Sequence, residues 1–241
     1  MKGRDLFVKV CGITRLQDAD QAADHGASAI GFIFWPGSPR YISPEDARAI
    51  VRRKAAGLRT VGVFVDEAVE RVQQIAEVVG LDLVQLHGNE TAADVRAAQL
   101  KLRATEDSQA HAAQLKLRPT GDPQVSVGRG FSRAVEVIKA VALNGSAPVD
   151  LSGFDDDVLI LLDAHDPARH GGTGRTIDWA AARDVASARR TILAGGLTPD
   201  NVGAAVVAVE PYGVDVSSGV ESAPGVKDAT RLKRFFEALN D

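Results

Sequence analysis

Apolar residues recur along the chain in short runs of strand length, and most runs are followed by a polar-and-apolar stretch of helical length. The runs begin near Leu6, Ala29, Thr60, Leu83, Val137, Val158, Thr191 and Val214, eight in all. Between and after them lie the amphipathic stretches Leu16 to His25, Pro44 to Arg53, Ala68 to Val79, Glu90 to Leu102, Trp179 to Ser187, Pro199 to Val209 and Lys227 to Leu239. Ser43-Pro44-Glu45 and Thr198-Pro199-Asp200 each offer a hydroxyl cap followed by proline at the first helical position, and Gly26 and Gly80 fall where helices end on glycine. Such alternation predicts a parallel sheet covered by helices, because parallel neighbours need a crossover between them. Eight units predict an α/β fold, a single-domain (β/α)8 TIM barrel over residues 1–241, with an open doubly wound sheet as the competing architecture.

One interval breaks the rhythm. The runs at Leu83 and Val137 start 54 residues apart, against 23 for Leu6 and Ala29, so an insertion at approximately residues 103–134 is expected between strands 4 and 5. Around it Ala97-Ala98-Gln99-Leu100-Lys101-Leu102-Arg103 recurs as residues 112–118, a local duplication rather than a repeat architecture. The segment reads as a surface elaboration, with a lid or partner surface as the alternative. The unit after Leu143 carries Gly145, Pro148 and Gly153, so its helix is expected to be short or absent.

Composition narrows the partners. The net charge is −4 with charged residues of both signs, which disfavours a polyanion-binding surface and makes nucleic acid an unexpected partner. A single cysteine excludes an internal disulfide and fits a reducing, cytoplasmic setting. The five-residue apolar run before Cys11 is too short for a signal peptide or membrane span, so a soluble protein that does not bind a membrane, monomer or homodimer, is expected.

The candidate chemistry lies where the runs end, since residues at the carboxyl ends of barrel strands crowd around one mouth. Cys11 closes the first run and Asp163 the sixth, and they read as base and acid. By strand alternation Lys9 and Cys11 share one face, as do Leu161 with Asp163 and Asp215 with Ser217. An inward Lys9 on the first strand and an inward Asp215 on the last would be neighbours in a closed barrel and are expected to pair. Cys11 also has a plainer reading as a small buried hydrophobe; as a base it needs help to ionise, which a nearby Lys9 could give. Asp163 could equally serve as an N-cap or a loop salt bridge.

Three glycine-rich stretches, Gly171-Gly172-Thr173-Gly174, Gly195-Gly196-Leu197 and Ser217-Ser218-Gly219-Val220-Glu221, follow the sixth, seventh and eighth runs. Glycine lets backbone N–H groups approach an anion, so Gly172, Thr173, Gly195, Gly196, Ser218 and Gly219 form a candidate phosphate site, against the alternative of simple tight turns. Arg40, between the second strand and its helix, carries a fork suited to a carboxylate, or is a solvated loop arginine. His87 is the only histidine at a predicted strand end, and no histidine shows metal-ligand spacing, so no metal is expected.

Taken together, Val8-Lys9-Val10-Cys11-Gly12-Ile13-Thr14, Gly31-Phe32-Ile33-Phe34, Ser38-Pro39-Arg40-Tyr41-Ile42-Ser43-Pro44, Val61 to Val65, Val84-Gln85-Leu86-His87-Gly88, Leu161-Leu162-Asp163 and the three glycine-rich stretches resemble the phosphoribosylanthranilate isomerase family of tryptophan biosynthesis. The resemblance spans nearly the whole chain and implies a TIM barrel performing a cofactor-free Amadori rearrangement of N-(5-phosphoribosyl)anthranilate. It implies Asp163 as general acid, Cys11 as general base, Arg40 and His87 at the substrate, and the glycine loops at the phosphate. A dual-substrate isomerase that also serves histidine biosynthesis would carry aspartate where Cys11 stands, and a catalytically inactive phosphate-binding barrel would not need both proton-transfer groups.

Overall fold

The computed structural model describes residues 6–103, 135–143, 150–163 and 179–240. The elements run β1 (Phe7–Cys11), α1 (Leu16–Asp24), β2 (Ala29–Ile33), α2 (Pro44–Val51), β3 (Arg59–Phe64), α3 (Val69–Val79) and β4 (Leu83–Leu86). They continue with α4 over residues 92–103, then β5 (Glu136–Ala142), β6 (Leu159–Asp163), α5 (Trp179–Ala188), β7 (Thr191–Ala194), α6 (Val202–Val209) and β8 (Gly213–Val216). A 3-10 turn (Ser218–Val220), a two-strand hairpin of β9 (Glu221–Ala223) and β10 (Val226–Lys227), and α7 (Ala229–Asn240) complete the chain.

Strands β1 to β8 form one closed barrel in sequence order, every pairing parallel. Closure comes from β8 beside β1, where Phe7, Val8, Lys9 and Val10 face Gly213, Val214, Asp215 and Val216. The strands read as near-continuous apolar runs because both faces of this sheet are buried. Val8, Val10, Ile30, Phe32, Val84, Leu86, Ile160 and Leu162 point outward into the core beneath the helices. Their alternates Phe7, Ala29, Val61, Leu83, Ile138, Leu159, Leu161 and Ile192 fill the barrel itself. Burying each large side chain contributes roughly 1.5–3 kcal/mol relative to exposure, so the inner plug and outer layer both fix the register.

Local signals hold at most helix ends. Ser43 Oγ accepts from the Asp46 N–H at 3.1 Å and Pro44 occupies the first helical position of α2. Gly80 ends α3 at φ +82°, and Gly26 follows α1 at φ +93°. At α6 the start differs from the predicted cap. Thr198 to Asn201 form a separate turn in which Asn201 Oδ1 accepts from the Thr198 N–H at 2.8 Å, and the helix begins at Val202. The first copy of the duplicated heptad lies in α4; the second copy, and all of 104–134, fall outside the described residues. Residues 143 and 150–158, described between β5 and β6, contain no helix. Among the described residues, no helix is long and apolar enough to cross a membrane.

Candidate active site

The inward face of the barrel ends, at the carboxyl side, in Cys11 on β1, His87 just beyond β4, Asp163 on β6 and Ser217 beyond β8. Cys11 alternates with Phe7 and Lys9, and Asp163 with Leu159 and Leu161, whose side chains fill the interior, so thiol and carboxyl are both directed toward the one mouth.

Lys9 sits beneath Cys11 with no exposed surface, its Nζ 3.0 Å from Asp215 Oδ1 across the closing β1–β8 seam. The two atoms touch as a buried ion pair. Gly31 on β2, opposite Cys11, makes room for this group: a Cβ there would lie 2.9 Å from the Cys11 Sγ and 3.1 Å from the Lys9 Cε. Cys11 is 5 % exposed. Burial pushes its thiol up, and the Asp215 carboxylate adds to that; Lys9 and Lys227 pull it down without overcoming the burial. The help expected from Lys9 is therefore present but outweighed. Burial draws Lys9 itself down, and Asp215 together with Cys11 more than restores it, so the ammonium is held above its ordinary range.

On the opposite side of the mouth His87 Nε2 lies 3.3 Å from Asp163 Oδ2, with the two side chains 34 % and 21 % exposed. Gln85, buried one inward position below on β4, places its Nε2 2.7 Å from His87 Nδ1. This contact holds the imidazole ring through Nδ1 and leaves Nε2 facing the carboxyl group. The backbone under His87 is pinned: its N–H donates to Phe64 O at 2.8 Å, and Asp66 Oδ1 accepts from Asn89 N at 2.6 Å. Glu90 accepts from Gly88 N at 2.9 Å and from buried Lys139 at 2.8 Å. Side chains just beyond β3 and β4 and within β5 thereby lock the rim that carries His87.

The loops after β7 and β8 meet. Gly195 and Gly196 take φ +84° and +66°, and Asn201 Nδ2 donates to Gly196 O at 3.1 Å. Gly219 lies so close to the first loop that a Cβ would come within 1.9 Å of Leu197 O, a position only glycine fills. Ser218 opens the 3-10 turn beside it. Backbone N–H groups in such consecutive turns can face one anion. The third glycine-rich stretch, with Gly172 and Thr173, lies outside the described residues.

Arg40 is not a free loop arginine. Its Nε donates to Glu221 Oε1 at 2.9 Å and its Nη2 to Oε2 at 2.7 Å. Lys227 Nζ backs the same carboxylate at 2.8 Å and also donates to Cys11 O at 2.5 Å and Ser217 O at 3.2 Å. Burial pushes Glu221 up, but its two cationic donors outweigh this and hold its carboxyl below the usual range. Burial lowers Lys227, and Glu221 restores it only in part. Neither Glu221 nor Lys227 stood out in the sequence beyond lying in or near a glycine-rich stretch. Their one available signal was charge of opposite sign six residues apart around Pro224-Gly225, the signature of a hairpin. Among the described residues no group of three or more His, Cys, Asp or Glu side chains could hold a metal ion.

Residues 8–117 and 124–238 match the family described as N-(5′-phosphoribosyl)anthranilate (PRA) isomerase, the break falling within the expected insertion. The N-(5′-phosphoribosyl)anthranilate isomerase of Pelobacter propionicus is 41 % identical over 236 residues, 98 % of this chain and 96 % of that protein. Crystallised phosphoribosyl anthranilate isomerase from Thermotoga maritima superposes with a TM-score of 0.75 at 36 % identity, covering 98 % of each chain. A further structure of such an isomerase, in complex with reduced 1-(o-carboxyphenylamino)-1-deoxyribulose 5-phosphate, gives a TM-score of 0.71 at 34 % identity over 98 % of each chain. The chain, with its inward thiol and carboxyl group at one barrel mouth, thus belongs to the N-(5′-phosphoribosyl)anthranilate isomerase family.

Proposed function

We propose that this chain catalyses the Amadori rearrangement of N-(5-phosphoribosyl)anthranilate to 1-(2-carboxyphenylamino)-1-deoxyribulose 5-phosphate in tryptophan biosynthesis, with Asp163 as general acid and Cys11 as general base. The observation that carries the proposal is the placement of these two groups on inward strand ends of β1 and β6, at a mouth that also holds the Arg40 fork and the close-packed β7 and β8 loops. The relative bound to the reduced product analogue supports it, since that ligand joins a carboxyphenyl end to a phosphate end.

The chemistry follows from proton placement. Asp163 gives its proton to the ribose ring oxygen, the bond from that oxygen to C1 breaks, and the nitrogen lone pair forms the C1=N bond of a protonated Schiff base. The cationic imine acidifies the proton on C2. Cys11, as thiolate, removes it, and the C–H electron pair becomes the C1=C2 bond of the enolamine. Tautomerisation moves the enol proton off oxygen and places one on C1, giving the aminoketose, and exchange with solvent returns Cys11 and Asp163 to their starting forms. A thiol raised by burial is a stronger base but is ionised less often, and the cations Lys9 and Lys227 oppose that penalty.

Binding at both ends supplies orientation. The backbone of Gly195, Gly196, Ser218 and Gly219 would take the phosphate, joined by Gly172 and Thr173, while Arg40 would take the anthranilate carboxylate, stretching the substrate between them. His87 would steady Asp163 and line the aromatic end. No cofactor enters these steps. Cys11 is the only cysteine and must stay a thiol, which makes a reducing cytoplasm part of the proposal.

The test is turnover of phosphoribosylanthranilate by the purified protein, followed by loss of anthranilate fluorescence. Cys11→Ala and Asp163→Asn are expected to abolish turnover while leaving binding of the reduced product analogue in place; near-normal turnover by either variant would refute the roles. The phosphoribosylated aminoaldose of histidine biosynthesis, assayed in parallel, is expected to turn over far more slowly.

A further inference from the structure

Beside the proposed site the buried carboxylate of Glu221 has no task in the steps above, and Lys227 enters them only through its charge near the Cys11 thiol. Glu221 has a side chain only 4 % exposed, and it grips Arg40 from one side: Nε donates to Oε1 and Oε2 at 2.9 and 3.0 Å, and Nη2 to Oε2 at 2.7 Å. A guanidinium held along its Nε–Nη2 edge keeps its other edge, made by Nη1 and the outer N–H of Nη2, for a second carboxylate. Among the described residues no group takes Nη1. The arginine stem is pressed against β1, since a Cβ on Gly12 would lie 2.6 Å from Arg40 Cδ and 3.2 Å from Ser217 Oγ. Behind the clamp, Lys227 is wholly buried and divides its three N–H bonds among Glu221 Oε1, Cys11 O and Ser217 O. Gly225 N adds a fourth hold on Glu221 at 3.2 Å.

We infer that Glu221, backed by Lys227, is a positioning residue that clamps Arg40 along one edge so that its free edge meets the carboxylate of the substrate's aminobenzoate end. The proposal rests on the reading of Arg40 given above. Within the triad of Arg40, Glu221 and Lys227 two cations meet one anion; Arg231 adds a further cation at the Glu221 carbonyl, and Asp18 behind Lys227 is matched by Arg15, so the surplus charge is positive and favours a carboxylate. Because the same ammonium holds the carbonyl of Cys11, the carboxylate anchor and the backbone of the base share one buried fixture. The distance from that anchor to the thiol is thereby set before substrate arrives, which is the geometry a C2 proton transfer needs.

The experiment pairs two substrates, phosphoribosylanthranilate and its aniline counterpart, which has no carboxylate. Glu221→Ala is expected to raise KM for the anthranilate substrate about tenfold or more, the loss of a charge-assisted contact, with a smaller change in kcat. KM for the aniline substrate should stay at the wild-type value, and Glu221→Asp should recover part of the loss. Arg40→Ala is the control on the underlying reading and should erase the preference for the carboxylated substrate. If Arg40→Ala leaves that preference intact, the role of Arg40 is what fails. If Arg40→Ala erases it but Glu221→Ala leaves it unchanged, or lowers KM because Glu221 competes with substrate, the clamp is overturned. Should Glu221→Ala fail to fold with Lys227 left unmatched, Glu221→Ala/Lys227→Met removes both charges together and is read as the ratio of KM between the two substrates, since the lost Lys227 hold on Cys11 lowers kcat for both.

Discussion

Replacing Lys9 by methionine removes the cation from the barrel interior and leaves Asp215, 10 % exposed, without its partner. Breaking a buried pair from one side costs about 3–5 kcal/mol, because a desolvated charge remains. Asp215 keeps some access to solvent, which favours the lower end of that range. In a domain of this size about 3 kcal/mol corresponds to a fall in Tm of about 6–12 °C. Lys9→Met/Asp215→Leu removes both charges and is expected to recover most of the loss, so the double-mutant cycle should show strong coupling. The single replacements Lys9→Met and Asp215→Leu should also move the Cys11 thiol in opposite directions: loss of Lys9 removes a downward influence, and loss of Asp215 removes an upward one. Thermal melts at neutral pH and the pH dependence of iodoacetamide alkylation, read on folded protein, check both parts. A melt for Lys9→Met within about 2 °C of wild type, or alkylation profiles displaced the same way by both variants, would refute the reasoning.

Other expectations follow from the same geometry. Gly31→Ala places a methyl group 2.9 Å from the Cys11 Sγ, and should cost about 1–3 kcal/mol of stability while sharply reducing kcat, as read by melts and fluorescence turnover. Gly219→Ala collides with the Leu197 carbonyl and should raise KM and weaken competition by inorganic phosphate, since the β7 and β8 loops must part. Folded Cys11 keeps a proton that the unfolded chain loses above about pH 9, and the raised Lys9 contributes stability that is lost as pH climbs through its folded value. Urea midpoints are therefore expected to fall from about pH 9 upward, and a flat profile there would contradict the burial of these groups. Ser43→Ala removes the α2 cap and should cost about 1 kcal/mol without affecting catalysis.

The strands were legible in the sequence because both faces of the sheet are buried. The runs at Ala29, Leu83 and Thr191 begin where β2, β4 and β7 begin, and the other five are displaced by one residue. Helix ends were less legible where polar side chains had a choice of partner. Thr198 resembles a cap, but Asn201 captures its N–H and delays α6. Lys227 looked like the polar start of the last helix; it lies instead on β10, fully buried, because its acceptors are the ends of β1 and β8 and a carboxylate across a hairpin. Alternation alone put Lys9 opposite Asp215, a register that closure makes unique. It could not pair Arg40 with Glu221, since nothing local links a β2 loop to a residue beyond β8. Nor could it weigh burial against Lys9 at the Cys11 thiol, a balance that exists only once the barrel has closed.

The seam between the first and last strands has a consequence for how the protein is made. Residues 7–10 are made about 200 residues before the partners they need, residues 213–216. Until then the first strand presents an open edge, and its ammonium faces an apolar wall with no counter-ion, so premature collapse around it is disfavoured. Closure joins strands about 200 residues apart in sequence, which predicts a slow folding phase and an open-edged intermediate that depends on protection from aggregation.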